Sequence, residues 1–200
     1  MIDQPFRSFL SNRVNLLLLV YDRLRLTANM ISIISVFIAV IAAYLCAMGY
    51  FWSSAIAWWF GRLLDGTDGI YARKTQTSSL FGAYLDIVCD MTAYSVMILG
   101  FAWHYPDLSW FWLTILSLYV LCIASALALG SLENEAQITN RDNRGLRLGA
   151  GLAEGGETGI AYSVFLLFPD QLSTWLSIWI GVLVITVISR TCLARKILQS

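Results

Sequence analysis

The chain has 200 residues, 58% of them hydrophobic, with a mean hydropathy of +0.68 and a formal net charge of zero at pH 7. That length fits one domain, the apolar content lies far outside the range of soluble proteins, and zero net charge gives no overall basic field for nucleic acid. An integral membrane protein of a single domain, residues 1–200, with no nucleic-acid partner, is predicted.

Residues 1–26 mix Phe6, Phe9, Leu10, Val14, Leu17, Leu18 and Tyr21 with Arg7, Arg13, Arg23 and Arg25. Such a mixture suits an amphipathic helix in the headgroup region, because the Leu16 to Val20 run needs burial. A solvated arm is the alternative. No short apolar run followed by a small-residue cleavage site is visible, so no removable signal peptide is expected, and the first spanning helix serves as its own insertion signal. Thr27 then offers an N-cap for that helix.

Six apolar stretches follow, near residues 28–48, 52–70, 81–103, 110–132, 150–168 and 174–193. Each approaches the ~20 residues that an α-helix needs to cross a bilayer, which predicts an all-α bundle of six transmembrane helices over residues 28–193. The connections at Gly49 to Phe51, His104 to Ser109 and Pro169 to Ser173 contain no Lys or Arg. Arg7, Arg13, Arg23, Arg25, Arg73, Lys74, Arg141, Arg144, Arg147, Arg195 and Lys196 all fall on the other side, so both termini are expected to face the cytoplasm. Trp52, Trp58, Trp59, Trp103, Trp110, Trp112, Trp175 and Trp179 lie mainly towards the opposite ends, as an interfacial belt would. His104 is expected to be exposed at that far interface, away from any chemistry. Cys46, Cys89, Cys122 and Cys192 sit one each in separate apolar segments, without zinc or disulfide spacing, and are expected to be buried and reduced. No internal repeat or linker divides the chain.

The stretch Asp65 to Asp90, DGTDGIYARKTQTSSLFGAYLDIVCD, carries the chemistry. Acidic side chains inside apolar helices are costly and usually functional. Asp65 and Asp68 are i, i+3 neighbours and Asp86 and Asp90 are i, i+4 neighbours, so each pair points to one side of its helix. Two such helices facing each other would converge four carboxylates on one point, an oxygen-rich site for Mg²⁺ or Mn²⁺ together with substrate phosphates. Gly69, Ala72 and Gly82 leave room there for close helix approach and a bulky anion.

The spacing Asp65-x2-Asp68-Gly69-x2-Ala72-Arg73-x8-Gly82-x3-Asp86-x3-Asp90 resembles the complete signature of the class I CDP-alcohol phosphotransferases (CDP-alcohol phosphatidyltransferases), integral membrane enzymes of phospholipid synthesis. The resemblance implies phosphatidyl transfer from a CDP-linked lipid donor, most simply CDP-diacylglycerol, to an alcohol acceptor with release of CMP. It also implies a homodimer; a bacterial inner membrane is the expected location, and the positive-inside placement of Lys and Arg puts the active site towards the cytoplasm. Asp65, Asp68, Asp86 and Asp90 are then the metal ligands, with two ions per site. Asp90, one turn from Asp86, is the expected general base, as the last Asp of the family motif is. Family members carry a Thr-x-Asn element that contacts the cytidine nucleotide, which here implicates Thr27, Ala28, Asn29 and Met30, with Ala28 where Pro is often found. Gly69 should let the nucleotide pack on bare backbone, and Arg73 offers a fork for phosphate, snorkelling to headgroups being its alternative role. Ser79 stands where family members supply a hydroxyl to the CDP-lipid, and capping the third spanning helix would explain it equally well.

The acceptor leaves less trace. Arg141, Arg144, Arg147 and Arg190 suit a pocket for a phosphorylated acceptor, and they suit positive-inside topology without one. Members that use inositol phosphate tend to have an acidic residue followed by Arg at the start of the fifth helix, whereas Glu154 here is followed by Gly155, with Glu157 nearby. Arg62, one turn before Asp65, is expected to pair with a motif carboxylate or a neighbouring glutamate. Two other classes compete with the enzyme reading: a carboxylate-lined cation transporter, and a non-catalytic family member. Inverted repeats would mark the first and loss of a motif Asp the second, and neither mark is seen.

Overall fold

A computed structural model describes residues 15–135 and 155–199, and the described residues contain seven α-helices, two single-turn 3₁₀ helices and no strand. The helices are α1 Asn15–Arg23, α2 Ala28–Ala47, α3 Phe51–Lys74, α4 Leu80–His104, α5 Ser109–Glu135, α6 Gly155–Leu167 and α7 Leu172–Leu198. Residues 1–14 of the expected amphipathic segment, and residues 150–154 of the expected fifth span, lie outside the described residues.

Local chemistry sets the ends of the helices that matter most for the site. Thr27 is extended, at φ −94° and ψ 158°, and its hydroxyl accepts from the Met30 amide at 3.3 Å, which caps α2. Ser79 caps α4 in the same manner, accepting from the Gly82 amide at 3.0 Å. At its other end α2 closes on Gly49, whose φ of +83° is easy only for glycine, while the Gly49 and Tyr50 amides donate back to Cys46 and Leu45 carbonyls.

α2 packs mainly on α3 and α4, α5 on α7, and α6 on α3. The α2 face is built from small residues, including Ala39, Ala42, Ala43 and Cys46, all buried, and this lets neighbouring backbones approach. At Gly100 of α4 the approach is extreme, since a Cβ there would lie 2.4 Å from the Ala43 carbonyl oxygen. Around this contact an aromatic core gathers: Phe101 stacks on Trp112 at 5.4 Å and meets Tyr162 and Phe165 edge-on at 5.8 Å. A smaller cluster of Leu18, Tyr21, Ile31, Leu64 and Tyr71 holds α1 against α2 and α3.

Four of the helical stretches, Ala28–Ala47, Leu80–His104, Pro106–Glu133 and Pro169–Leu198, are long and apolar enough to cross a membrane. Two of the six expected spans fall outside that set for different reasons. α3 has 24 residues but carries Arg62, Asp65, Asp68, Arg73 and Lys74, and α6 has only 13 described residues. The outward faces of the helices display large apolar side chains such as Phe37, Trp52, Trp103, Trp110 and Val120.

Several surface expectations are corrected. Trp58, Trp112 and Trp179 are buried core residues and not members of an exposed belt, whereas Trp52, Trp103 and Trp110 are exposed. Each buried indole has partners inside the bundle: Trp58 meets the rings of Tyr94 and Tyr162, Trp112 stacks on Phe101, and the Trp179 indole donates to the Tyr119 hydroxyl at 3.0 Å. His104 is half-buried, with Nδ1 3.2 Å from the Ala47 carbonyl and its ring edge-on to Phe51. All four cysteines are free, as expected, but Cys122 is only half-buried and Cys192 is exposed on the outer side of α7.

Candidate metal centre and adjoining cleft

Asp65 and Asp68 of α3 and Asp86 of α4 come together, with one carboxylate oxygen from each lying within 4.8 Å of the others. They are 8%, 4% and 8% exposed. Three buried carboxylates at this spacing repel one another unless a cation or hydrogen-bond donors compensate them. Some donors are in place. Ser32 of α2 donates its hydroxyl to Asp68 Oδ2, while Asp65 Oδ1 has no hydrogen-bond partner among the described residues. Hard carboxylate oxygens, close together and in part without donors, fit a divalent cation such as Mg²⁺ or Mn²⁺.

Convergence expected of four carboxylates is thus seen for three. Asp90 lies one turn further along α4, and there Arg62 Nη1 donates to its Oδ1 at 2.6 Å while Tyr94 donates its hydroxyl to the same oxygen at 3.3 Å. Arg62 also reaches Asp65 Oδ2 at 3.5 Å, so of the two partners expected for this arginine it has taken motif carboxylates. Arg62 and Asp65, one turn apart, share a face of α3, and from that face the guanidinium also reaches Asp90 of α4.

Beside the carboxylates opens a cleft of about 110 Å³, whose walls include Asn29, Asp68, Gly69, Arg73, Ser79 and Asp86. Ala28 also lines it. The exposed Arg73 folds back over Gly69, where a Cβ would lie 3.3 Å from its Nη1, and a Cβ on Gly82 would sit 3.3 Å from Asn29 Oδ1. Bare backbone at these two positions is what keeps the cleft open. Thr27 and Met30 flank it, the first with its hydroxyl turned to the α2 cap and the second with an exposed side chain.

The family model described as CDP-alcohol phosphatidyltransferase matches residues 25–188, which spans both helices of the acidic cluster and the whole cleft. The chain belongs to the CDP-alcohol phosphatidyltransferase family. It is 30% identical over 155 residues to the inner membrane protein YnjF of Escherichia coli, covering 75% of this chain and 74% of that protein. It is also 33% identical over 90 residues to a CDP-diacylglycerol–inositol 3-phosphatidyltransferase of Candida albicans, covering 45% of this chain and 39% of that enzyme. Among solved structures, phosphatidylinositol phosphate synthase of Mycobacterium tuberculosis with CDP-DAG bound superposes with a TM-score of 0.68 at 23% identity, covering 92% of this chain and 94% of that one. The same synthase in complex with manganese and citrate gives a TM-score of 0.62, with 89% and 87% covered. The fold is shared, and this family member is an all-α integral membrane protein.

Within this CDP-alcohol phosphatidyltransferase fold the remaining predicted residues divide. Ser79 both lines the cleft and caps α4, so its two expected uses are not exclusive. Arg141, Arg144, Arg147 and Glu154 lie outside the described residues. Arg190, 3% exposed, donates to the Cys122 carbonyl at 2.6 Å and to the Ser125 hydroxyl at 3.2 Å, which engages its guanidinium in α5–α7 packing. Sequence reasoning missed the supports around the acidic cluster: Ser32, Tyr94, and the contacts of α1. Tyr21 donates to Thr67, next to Asp68, at 2.8 Å, and Tyr71 donates to Asp22 at 2.8 Å. Burial raises the Tyr21 phenol above its ordinary pKa. A serine in the middle of an apolar helix was the available signal for Ser32, and it is uninformative until the facing helix is known.

Proposed function

We propose that this chain transfers a phosphatidyl group from CDP-diacylglycerol to an alcohol acceptor and releases CMP. The observation that carries this reading is the meeting of Asp65 with Asp68 and Asp86, the last two of which line a cleft together with Asn29, Gly69, Arg73 and Ser79. In the reaction the acceptor oxygen bonds to the phosphorus that bears the diacylglycerol group, the bond from that phosphorus to the CMP oxygen breaks, and the acceptor proton is lost to a base. Asp65, Asp68, Asp86 and Asp90 are the proposed metal-holding set. Bound there, two divalent cations, Mg²⁺ or Mn²⁺, would neutralise the pyrophosphate and polarise its oxygens. Thr27, Ala28, Asn29 and Met30 are assigned to the cytidine end, Gly69 gives the nucleotide a flat backbone surface, and Arg73 and Ser79 hold phosphate oxygens. Asp90 accepts the proton.

The same reading takes residues 1–200 as one domain, with α2 to α7 as six crossings, residues 1–26 at the interface, and the carboxylates towards the cytoplasm. One-sided placement of Lys and Arg supports that orientation. The working unit is read as a homodimer. Cysteines placed at residues 107 and 143 should label from opposite sides of the membrane, and crosslinking in a mild lipid environment should trap a dimer.

The deciding experiment is an assay of the purified protein for CMP release from CDP-diacylglycerol, against glycerol phosphate, inositol phosphate, serine and simple polyols. CMP should appear with one acceptor class. No CMP with any member of the panel, under saturating metal, would sink the reading.

A further inference from the structure

We infer that Arg62 is a positioning residue for Asp90, fixing which carboxylate oxygen faces the acceptor, so that turnover depends on Arg62 only by way of Asp90. This rests on the phosphatidyl transfer proposed above. Arg62 is 7% exposed, and Nη1 donates to Asp90 Oδ1 at 2.6 Å across the α3–α4 interface. The Tyr94 hydroxyl donates to the same oxygen at 3.3 Å. Oδ1 therefore takes both bonds, and Oδ2 takes none among the described residues. Oδ2 is the oxygen left to meet the proton of an acceptor hydroxyl, and it is also the one through which Asp90 would reach a metal.

What fixes the guanidinium itself is aromatic. Its central carbon lies 5.0 Å from the Trp58 ring centroid and 5.3 Å from that of Tyr94, while Nε and Nη2 have no hydrogen-bond partner among the described residues. The two ring faces stand where acceptors would otherwise be needed, and they restrict the plane of the fork. Trp58 and Arg62 are i and i+4 on α3, and Asp90 and Tyr94 are i and i+4 on α4. Each helix contributes one ring and one charge, and the arrangement holds the Asp90 side chain in a single orientation. Replacing a buried ion pair by apolar residues is often neutral for stability, so stability alone does not account for a charge buried this deeply beside three more carboxylates.

A double-mutant cycle on the full chain in lipid discs tests the inference, using Arg62→Gln, Asp90→Asn and their combination. Arg62→Gln should lower kcat by roughly 10²-fold, the usual penalty of misplacing a reacting group, with the KM for CDP-diacylglycerol changed less than about threefold. Added to Asp90→Asn, it should cost less than about threefold more, because both changes remove the same function. Mn²⁺ affinity, titrated by electron paramagnetic resonance without substrates, should be unchanged or tighter, since a neighbouring cation has been removed. Arg62→Lys should recover part of the turnover, as it keeps the charge without the planar fork. If Arg62→Gln does not fold, Tyr94→Phe takes its place: it removes one bond to Oδ1, should lower kcat several-fold, and should have no effect in the Asp90→Asn background. Additive losses, wild-type turnover in Arg62→Gln, or weakened Mn²⁺ binding would each overturn the inference while leaving phosphatidyl transfer intact. Wild-type protein that makes no CMP sinks the transfer reading and takes the inference with it.

Discussion

The two ends of the α2–α3–α4 unit are held by opposite means. At the Gly49 end the contact is apolar and as close as backbone allows: Gly100 meets the Ala43 carbonyl, Phe51 stacks on Tyr105 at 6.1 Å, and His104 meets both rings edge-on. At the Thr27 end the same helices are joined by Ser32 to Asp68, by Arg62 to Asp90, and by Tyr21 of α1 to Thr67. The first end leaves no space, and the second encloses a cleft. Close packing holds the helices at one end, and at the other polar bonds join them and compensate charge that lipid would not tolerate.

If the polar end does the chemistry, the largest effects should come from its cation and its acids. Chelation of divalent metal should abolish CMP formation, and readdition of Mg²⁺ or Mn²⁺ should restore it, because clustered carboxylates cannot hold a pyrophosphate unaided. Asp90→Asn should reduce turnover by roughly 10²–10⁴-fold with donor affinity little changed, whereas Asp65→Asn or Asp68→Asn should weaken metal and donor binding together. Smaller, and sharper for the comparison, is Ser32→Ala. Loss of the donor behind Asp68 should lower metal affinity by about 10–100-fold in a Mn²⁺ titration while the protein remains folded. The packed end predicts the reverse pattern: Gly100→Ala drives a Cβ into backbone and should destabilise by about 1–3 kcal/mol in thermal unfolding, with metal affinity retained. Least of all, Tyr21→Phe should cost about 0.5–1.5 kcal/mol, read as a lower unfolding temperature.

The sequence was most legible where composition and spacing act along one helix. Apolar runs located α2, α4, α5 and α7 to within a few residues, and the Asp65 to Asp90 spacing singled out the residues that meet in the structure. α3 was readable as a helix but not as a simple span, because its charges are tolerated only through partners on α2 and α4. Relations between helices were the illegible part. Nothing in the chain pattern says that Ser32 faces Asp68, that Trp58 turns inward under Arg62, or that Asp90 is the motif carboxylate Arg62 bonds most closely. Each of these depends on the rotation of one helix against another. The tryptophans misled for the same reason, since an indole near a helix end suits a lipid interface and a wide aromatic core equally well.

The short turn between α2 and α3 carries a consequence for that rotation. Only Met48, Gly49 and Tyr50 separate the two helices, and the Gly49 and Tyr50 amides are tied back into α2. The turn therefore sets the phase of α3, much as a key sets the angle of a shaft. Inserting one residue in α3 between Phe51 and Arg62 would turn everything beyond it by about 100°, carrying Asp65 and Asp68 away from Ser32 and from α4. In a soluble protein such a slip would expose charge to water at little cost. In a bilayer it would present two acids to hydrocarbon, so the angular setting of this helix is enforced by the solvent as firmly as by its neighbours.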